Sequence, residues 1–594
     1  MTAAIQTIWA ELVATTLADA GVVRCVLSPG SRSTPLVAAL ARESRLALTT
    51  LIDERAAAFF ALGAARATGA PVALVCTSGT AAAHYLPAIV EASLAGVPLI
   101  ALTADRPPEL QGSGASQTID QVKLYGDFVR GAIDLGPPSP GEQPLRAVRR
   151  KIVQAITLAL GPDPGPVHVQ VPLRKPLEPA APTGDTERAL AERAARLAGP
   201  VRVAPPRLAP DPGAITELAR AIAEEPDGVI VAGALPTGFA AARGAVLALA
   251  ERLGYPILAE AGSQLRLGPR PDGVVFVDHF DVIPPAERPA PRLVVQLGAE
   301  PVAAAWPGWL GELTAAGCAR WVLAGPRWQD PDSSARGVVL GEIAAVIEAL
   351  DLALPTAPPR VPAAALAWRA AEAAAARAIE LALDHHPRSE PAMLRAALAA
   401  VPEGAAIQLG NSLPIRVADQ VCAGGALRPV LTQRGAAGID GLIASAAGAT
   451  CAGHPVLLVL GDVSFAHDLG GLLAARAAVA PLAILVIDNR GGQIFAGLPI
   501  ARAHQGAAFD RHWITAPDID PTAVATALGI AATTAVSPAA AATAITRALT
   551  APGVTLIHAP VSASGAHDVR RAALAGVPAT RDHDIASRST GRKP

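Results

Sequence analysis

Residues 455–462, PVLLVLGD, and residues 482–492, LAILVIDNRGG, stand either side of a helical stretch, DLGGLLAARAA, at 468–478. A short unbroken apolar run that stops at turn residues reads as a strand buried on both faces. Strand, helix and strand in that order predict a right-handed βαβ crossover between parallel neighbours. The crossover brings the ends of both strands together, and those ends are Asp462 and Asn489.

The same alternation extends in both directions. Residues 1–180 carry strand-like runs at VVRCVL, LALTTLI, PVALVCT, VPLIALT and GPVHVQV, separated by Ala- and Leu-rich helical stretches. Residues 214–350 repeat the pattern at GVIVAG, YPILAE, GVVFVD, RLVVQLG and RWVLAG, and residues 366–580 at AIQLG, PVLTQ, PVLLVLGD, LAILVIDN and VTLIHAP. Proline-rich stretches separate the blocks and read as linkers at 181–213, which includes a short charged helix, and at 351–365. The last residues, 581–594, lack apolar periodicity and read as a mobile tail. The expected fold class is α/β, with three doubly wound parallel-sheet domains.

Bulk composition narrows the function classes. At 594 residues the chain is too long for one core. Lys plus Arg is 49 against Asp plus Glu 51, so no overall field favours nucleic acid, and charged ligands need local clusters. The mean hydropathy of +0.37 is positive, but the apolar runs stop short of the roughly 20 residues a membrane span needs. Five scattered cysteines without metal spacing read as reduced core residues, and with no signal-like N-terminus the expected location is cytoplasmic.

Ligands of open parallel sheets collect beyond the carboxyl ends of the strands. There the Asp462 carboxylate, the Asn489 amide oxygen and the Gly491 carbonyl form a set of hard oxygen donors suited to Mg²⁺, which keeps other positions for phosphate oxygens and water. They would grip a diphosphate through the metal. The spacing fits equally a helix-capping aspartate followed by an ordinary turn. Four arginines, Arg32, Arg106, Arg416 and Arg434, also stand in strand-to-helix turns. Each alone fits a surface ion pair; together they imply anionic substrates held by guanidinium forks.

Longer motifs carry a resemblance. The first block contains SPGSRSTPL (28–36), DERAAAFFALG (53–63), TSGT (77–80), ADRPPEL (104–110) and GASQ (114–117). The third contains GNSLPIR (410–416), RGAAGIDG (434–441), GDVSFAHDL (461–469) and NRGGQIF (489–495). Together these resemble the 2-succinyl-5-enolpyruvyl-6-hydroxy-3-cyclohexene-1-carboxylate (SEPHCHC) synthase family of thiamine-diphosphate-dependent enzymes. The resemblance covers both outer blocks nearly end to end, and the middle block in position and type only.

The resemblance implies a pyrimidine-binding domain at 1–180, a central transhydrogenase-like domain at 214–350 and a diphosphate-binding domain at 366–580. It implies thiamine diphosphate with Mg²⁺ or Mn²⁺ on Asp462, Asn489 and Gly491. Glu54 would hydrogen-bond the aminopyrimidine ring as a carboxyl kept ready to share its proton by an apolar site. Ile439 would be the apolar wedge that bends the cofactor, with Gln493, Ile494 and Phe495 beside it. Ser31, Arg32, Arg106, Gln117, Ser412, Arg416 and Arg434 would bind the carboxylates and hydroxyls of the substrates. The implied reaction decarboxylates 2-oxoglutarate and adds the succinyl carbanion 1,4 to isochorismate. The implied assembly is a homodimer or homotetramer in which Glu54 of one subunit meets the diphosphate held by another. Two departures stand out. Ser116-Gln117 replaces an asparagine-glutamine pair, and Ala304 occupies the place of a substrate-side lysine. The rival readings are an acetolactate-synthase-like 2-oxo acid decarboxylase and a catalytically silent nucleotide-binding relative.

Overall fold

The computed structural model describes residues 2–355 and 362–577. The expected tail lies outside them, as does 356–361 of the second expected linker. Three parallel sheets account for every strand. The first contains β1 (Arg24–Leu27), β2 (Ala47–Thr50), β3 (Val72–Cys76), β4 (Leu99–Asp105), β5 (Ala132–Asp134) and β6 (Val167–Pro172), in the order β2-β1-β3-β4-β6-β5. The second contains β7 (Gly228–Ala232), β8 (Ile257–Ala259), β9 (Leu293–Leu297), β10 (Ala319–Gly325) and β11 (Gly337–Leu340), in the order β11-β10-β9-β7-β8. The third contains β12 (Ala406–Leu409), β13 (Val430–Thr432), β14 (Val456–Gly461), β15 (Leu482–Asp488), β16 (Ala531–Thr534) and β17 (Val554–Pro560), in the order β13-β12-β14-β15-β17-β16. The first and third sheets thus share one winding, strand for strand.

The runs that open the sequence reading form the centre of the third sheet. Every residue from Val456 to Leu460 and from Leu482 to Ile487 is fully buried, each worth about 1.5–3 kcal/mol where a Val, Leu or Ile side chain leaves water. Pairing sets Gly461 opposite Ile487. Asp462 and Asn489 therefore leave the sheet side by side.

Three strands escape the sequence reading: β5, β11 and β16. All lie at sheet edges, where one side has no pairing partner and the exposed face accepts Ala, Asp and Thr. Conversely, residues 273–278, expected as a strand, make only a bridge from Phe276 to Ile257. The expected first linker is also more ordered than a spacer. Its helix Asp185–Leu197 buries Leu190 and Ala194 in the core of the first domain.

Two apolar cores cross domain limits. One joins the second and third domains and the other joins the first and third. In the latter, helices Glu54–Thr68 and Leu442–Ala449 touch backbone to backbone. A Cβ on Gly63 would stand 1.8 Å from the Ser445 carbonyl oxygen, and one on Gly448 would stand 1.9 Å from that of Phe60. All five cysteines are unpaired. Among the described residues no helix is long and apolar enough to cross a membrane.

Candidate active site

Asp462 begins the helix Asp462–His467 directly after β14. Its two oxygens accept from main-chain amides, Oδ1 from Val463 at 2.9 Å and Oδ2 from Gly491 at 2.6 Å. The second bond crosses between the two strand ends, so Asp462 is more than the cap of its own helix. Burial raises its pKa above the usual carboxylate range, against the lowering effect of the Gly491 amide. Its neighbour Asp488 is held low by the hydrogen bond with His558, 3.0 Å away.

The turn that returns the amide is strained in the sense that requires glycine. Arg490 has φ 63° and Gly491 φ 110°, and a Cβ on Gly491 would meet the Ile514 carbonyl oxygen at 2.3 Å. The Gly491 carbonyl accepts from the Gln493 amide at 2.8 Å and keeps its second lone pair.

Asn489 supplies the decisive observation. Its Nδ2 donates to Glu390 Oε2 at 2.9 Å, while its Oδ1 is buried with no hydrogen-bond partner. A buried amide oxygen left without a donor costs roughly 1–3 kcal/mol. Carried past the strand end that pairs with the one before Asp462, that oxygen is of the kind a hard divalent cation takes. The chemistry of Asp462, Asn489 and the Gly491 carbonyl suits the divalent cation expected of them.

The residues expected to bind anions fall into two groups. In the first domain, Arg32 is 5% exposed. Its Nη1 donates to the Leu173 carbonyl at 2.8 Å, its amide donates to Thr77 Oγ1 at 3.2 Å, and its Nε is buried without a partner. Arg106 donates to Ser78 Oγ at 2.6 Å and to the Ser116 carbonyl at 2.9 Å. Gln117, at φ 53°, donates to the Ser78 carbonyl and accepts from the Ser78 hydroxyl through its own carbonyl. Burial, and then the nearby Arg106 charge, lower the pKa of Arg32. Ser31 is exposed beside them.

In the third domain Arg416 donates to the Ser412 carbonyl at 2.8 Å, and Arg434 to Asn411 Oδ1 at 3.2 Å. Ser412 is held at φ 71°. Burial, and then Arg434, lower the pKa of Arg416, while Asp281, Asp419 and Glu260 act the other way. The second domain thus sets two of its own acids, Glu260 and Asp281, against these arginines. Ile439 is half-buried in the same loop, and Gln493, Ile494 and Phe495 are half-buried in a short 3₁₀ turn after Gly492. Ala304 is exposed, with its amide donating to Asp281. His84 and His467 are both exposed.

Glu54 opens its helix one residue after the capping Asp53, whose carboxylate accepts from Arg55 and Ala56. Its half-buried carboxylate makes no hydrogen bond or ion pair among the described residues, and it lies close enough to Cys76 and Tyr85 to act on them electrostatically. The residues flanking it touch the third domain of the same chain. Arg55 lies 3.6 Å from Asp468, and a side chain at Gly470 would stand 3.0 Å from the Asp53 carboxylate.

Three working residues have no counterpart among the expected ones. Ser78 joins Arg106 to Gln117, Glu390 holds Asn489, and Glu91 of the first domain accepts from the amides of Gly435 and Ala436, in the loop that carries Arg434. Ser78 sits inside a quoted motif, so proximity to the arginines is its available signal. Glu390 and Glu91 have none, because their partners are far away in sequence.

Comparison with known proteins matches both outer domains. Residues 9–124 match the thiamine pyrophosphate enzyme N-terminal TPP binding domain, and residues 419–559 the C-terminal TPP binding domain. The chain is 44% identical to 2-succinyl-5-enolpyruvyl-6-hydroxy-3-cyclohexene-1-carboxylate synthase from Sorangium cellulosum, covering 96% of this chain and 97% of that protein. It is 41% identical to the synthase of the same name from Geobacillus kaustophilus, covering 84% and 85%. The crystal structure of benzoylformate decarboxylase from Polynucleobacter necessarius superposes with a TM-score of 0.69 at 17% identity, over 93% of this chain and 98% of that one, and so shares the fold. With both cofactor-binding domains matched and such identity over nearly its whole length, the chain belongs to the SEPHCHC synthase family of thiamine-diphosphate-dependent enzymes.

Proposed function

We propose that the chain catalyses the SEPHCHC synthase reaction of menaquinone biosynthesis, decarboxylating 2-oxoglutarate and adding the succinyl unit in the 1,4 sense to isochorismate. The buried, unpartnered Asn489 Oδ1 carries the reading, because an open oxygen at the strand ends of a thiamine-diphosphate fold supports a cation there. Thiamine diphosphate, when bound, supplies the thiazolium carbon that takes up the 2-oxo acid and stores the electrons released with CO₂.

The chain's residues do the rest. Asp462, Asn489 and the Gly491 carbonyl would hold Mg²⁺ or Mn²⁺ against the diphosphate. Ile439, Gln493, Ile494 and Phe495 would line the cofactor. Glu54, free of internal partners, would share a proton between its carboxyl oxygen and the aminopyrimidine ring, and is the catalytic residue of this reading. Arg32 and Arg106, with Ser31 and Gln117, and Arg416 and Arg434, with Ser412, would hold the carboxylates of two anions that repel each other in water. Pre-paid orientation of that kind is worth many powers of ten in rate.

The resemblance to the family, together with a Glu54 carboxylate that finds no partner among the described residues of its own chain, supports an active unit of at least two chains, a homodimer or homotetramer, with the site between subunits. A balanced charge and the absence of a membrane-spanning helix among the described residues support a cytoplasmic enzyme without a nucleic-acid partner.

The test mixes purified protein with Mg²⁺, thiamine diphosphate, 2-oxoglutarate and isochorismate and follows the loss of isochorismate absorbance, omitting each component in turn. All four are expected to be required. Turnover with pyruvate in place of 2-oxoglutarate would replace this reading with an acetolactate-synthase-like one. Cofactor binding without turnover of either would favour a silent relative.

A further inference from the structure

Asn489 can offer its oxygen to a cation only if its nitrogen is kept away. Nothing among the described residues bonds to Oδ1, so the orientation is set from the other side of the amide, where Glu390 Oε2 takes the Nδ2 hydrogen at 2.9 Å. Glu390 Oε2 accepts from the nitrogen; the amide is thereby held with its oxygen on the opposite side of the group.

Glu390 is built to stay there. It is 1% exposed and begins the helix Glu390–Ala399, capped by Ser389 through the Ala392 amide. The preceding Arg388 carbonyl accepts from the Ser562 amide at 2.9 Å. A Cβ on Gly565 would stand 2.9 Å from Ser389, so the segment is wedged against the exit of β17. Its carboxylate also lies close enough to act on Asp462 electrostatically.

We propose that Glu390 is a positioning residue that fixes the Asn489 amide with Oδ1 toward the cation, and thereby sets the affinity of the cofactor's metal site. The proposal rests on the metal role given above to Asp462, Asn489 and Gly491. An outer partner of this kind typically changes metal affinity by about 10–100-fold when removed.

The experiment titrates the full-length protein with Mn²⁺ at saturating thiamine diphosphate and reads free Mn²⁺ by electron paramagnetic resonance, without turnover. Glu390→Leu is expected to weaken Mn²⁺ by at least about 10-fold. Glu390→Gln keeps an oxygen acceptor in place and is expected to stay within about 3-fold of wild type, whereas Glu390→Asp keeps the charge but withdraws the acceptor and is expected to follow Glu390→Leu. The Gln and Asp pair carries the test should the leucine variant not fold. The opposite ranking, with Asp retained and Gln lost, would mean that Glu390 acts by charge, and overturns the inference. So would unchanged Mn²⁺ affinity in all variants, even with a lowered unfolding temperature, which is what a merely structural residue would show. Wild-type protein that takes up no Mn²⁺ overturns the metal reading and the inference together; wild type that binds while the variants bind equally overturns the inference alone.

Discussion

At the end of the third strand of the first domain stands Ser78, whose hydroxyl accepts from Arg106 and donates to Gln117; at the end of the matching strand of the third domain stands Asp462, accepting from two amides. One strand further, the first domain ends β4 in Asp105, with Oδ2 taking hydrogens from Gln111 and Gln170 and Oδ1 from the Arg106 amide. The third domain ends β15 at Asp488 and continues into Asn489, whose Oδ1 takes none. One winding thus carries two chemistries. After these strands the first domain satisfies its acid, Asp105, internally and sets Arg106 beside it; the third leaves an amide oxygen open one residue past Asp488. The difference lies in the few residues after each strand, because the sheet fixes where those residues stand and leaves open what they offer.

The comparison is broken most severely by Asp462→Ala. Removing the shared acceptor of the two strand ends should weaken metal-dependent thiamine diphosphate binding by more than about 100-fold, beyond the range of outer-shell changes, as measured by isothermal titration with and without Mg²⁺. Arg106→Ala tests the other side. The half-saturating concentration of an anionic substrate should rise about 10- to 100-fold, the value of a charge-assisted hydrogen bond, with cofactor affinity unchanged in the same titration. A loss of cofactor affinity in this variant would erase the proposed division of labour.

Gly63→Ala separates packing from chemistry. The added methyl meets the Ser445 carbonyl and should destabilise the protein by about 1–3 kcal/mol, read by thermal or denaturant unfolding.

The smallest effect is one of pH. Burial pushes Glu390 up to about 7 and Asp468 up to about 6. In the folded third domain these carboxyls hold protons that the unfolded chain has released, so local stability there falls as pH rises from about 4.5 to 7 and returns on acidification. His168, buried between Thr103 and Tyr125, is pulled down to about 4. It stays neutral while the unfolded imidazole protonates, so stability in the first domain is lost as pH falls from about 6.5 to 4. Between pH 7 and 5.5, hydrogen-exchange protection should move in opposite directions by about 1–2 kcal/mol in β14–β15 and in β4–β6 of the cofactor-free protein. Parallel movement would show that the two domains open as one unit.

The sequence exposes some of this and hides the rest for physical reasons. Central strands such as VLLVL and LAILVI are legible because burial on both faces permits only apolar residues. The edge strands AID, GVVL and AATT are not, since an edge imposes half that restriction. Asp462 and Asn489 are legible because each follows a strand directly. Glu390 is not, since it meets Asn489 across 99 residues. The second domain, which offers no motif, still presents the buried Arg266 to the Cys422 and Asp419 carbonyls of the third; an arginine that reads main-chain oxygens leaves no residue pattern to find.

The glycine-mediated clasp between helices Glu54–Thr68 and Leu442–Ala449 has a consequence for biosynthesis. About 380 residues separate Gly63 from Ser445, which at ribosomal speeds of about 5–20 residues per second is on the order of 20–80 seconds. Until then the nascent first domain carries the apolar flank around Phe59 and Phe60 uncovered. Its folding can be completed only by the last third of the message, and a ribosome stalled before that point leaves a sticky fragment for chaperones or proteases to manage.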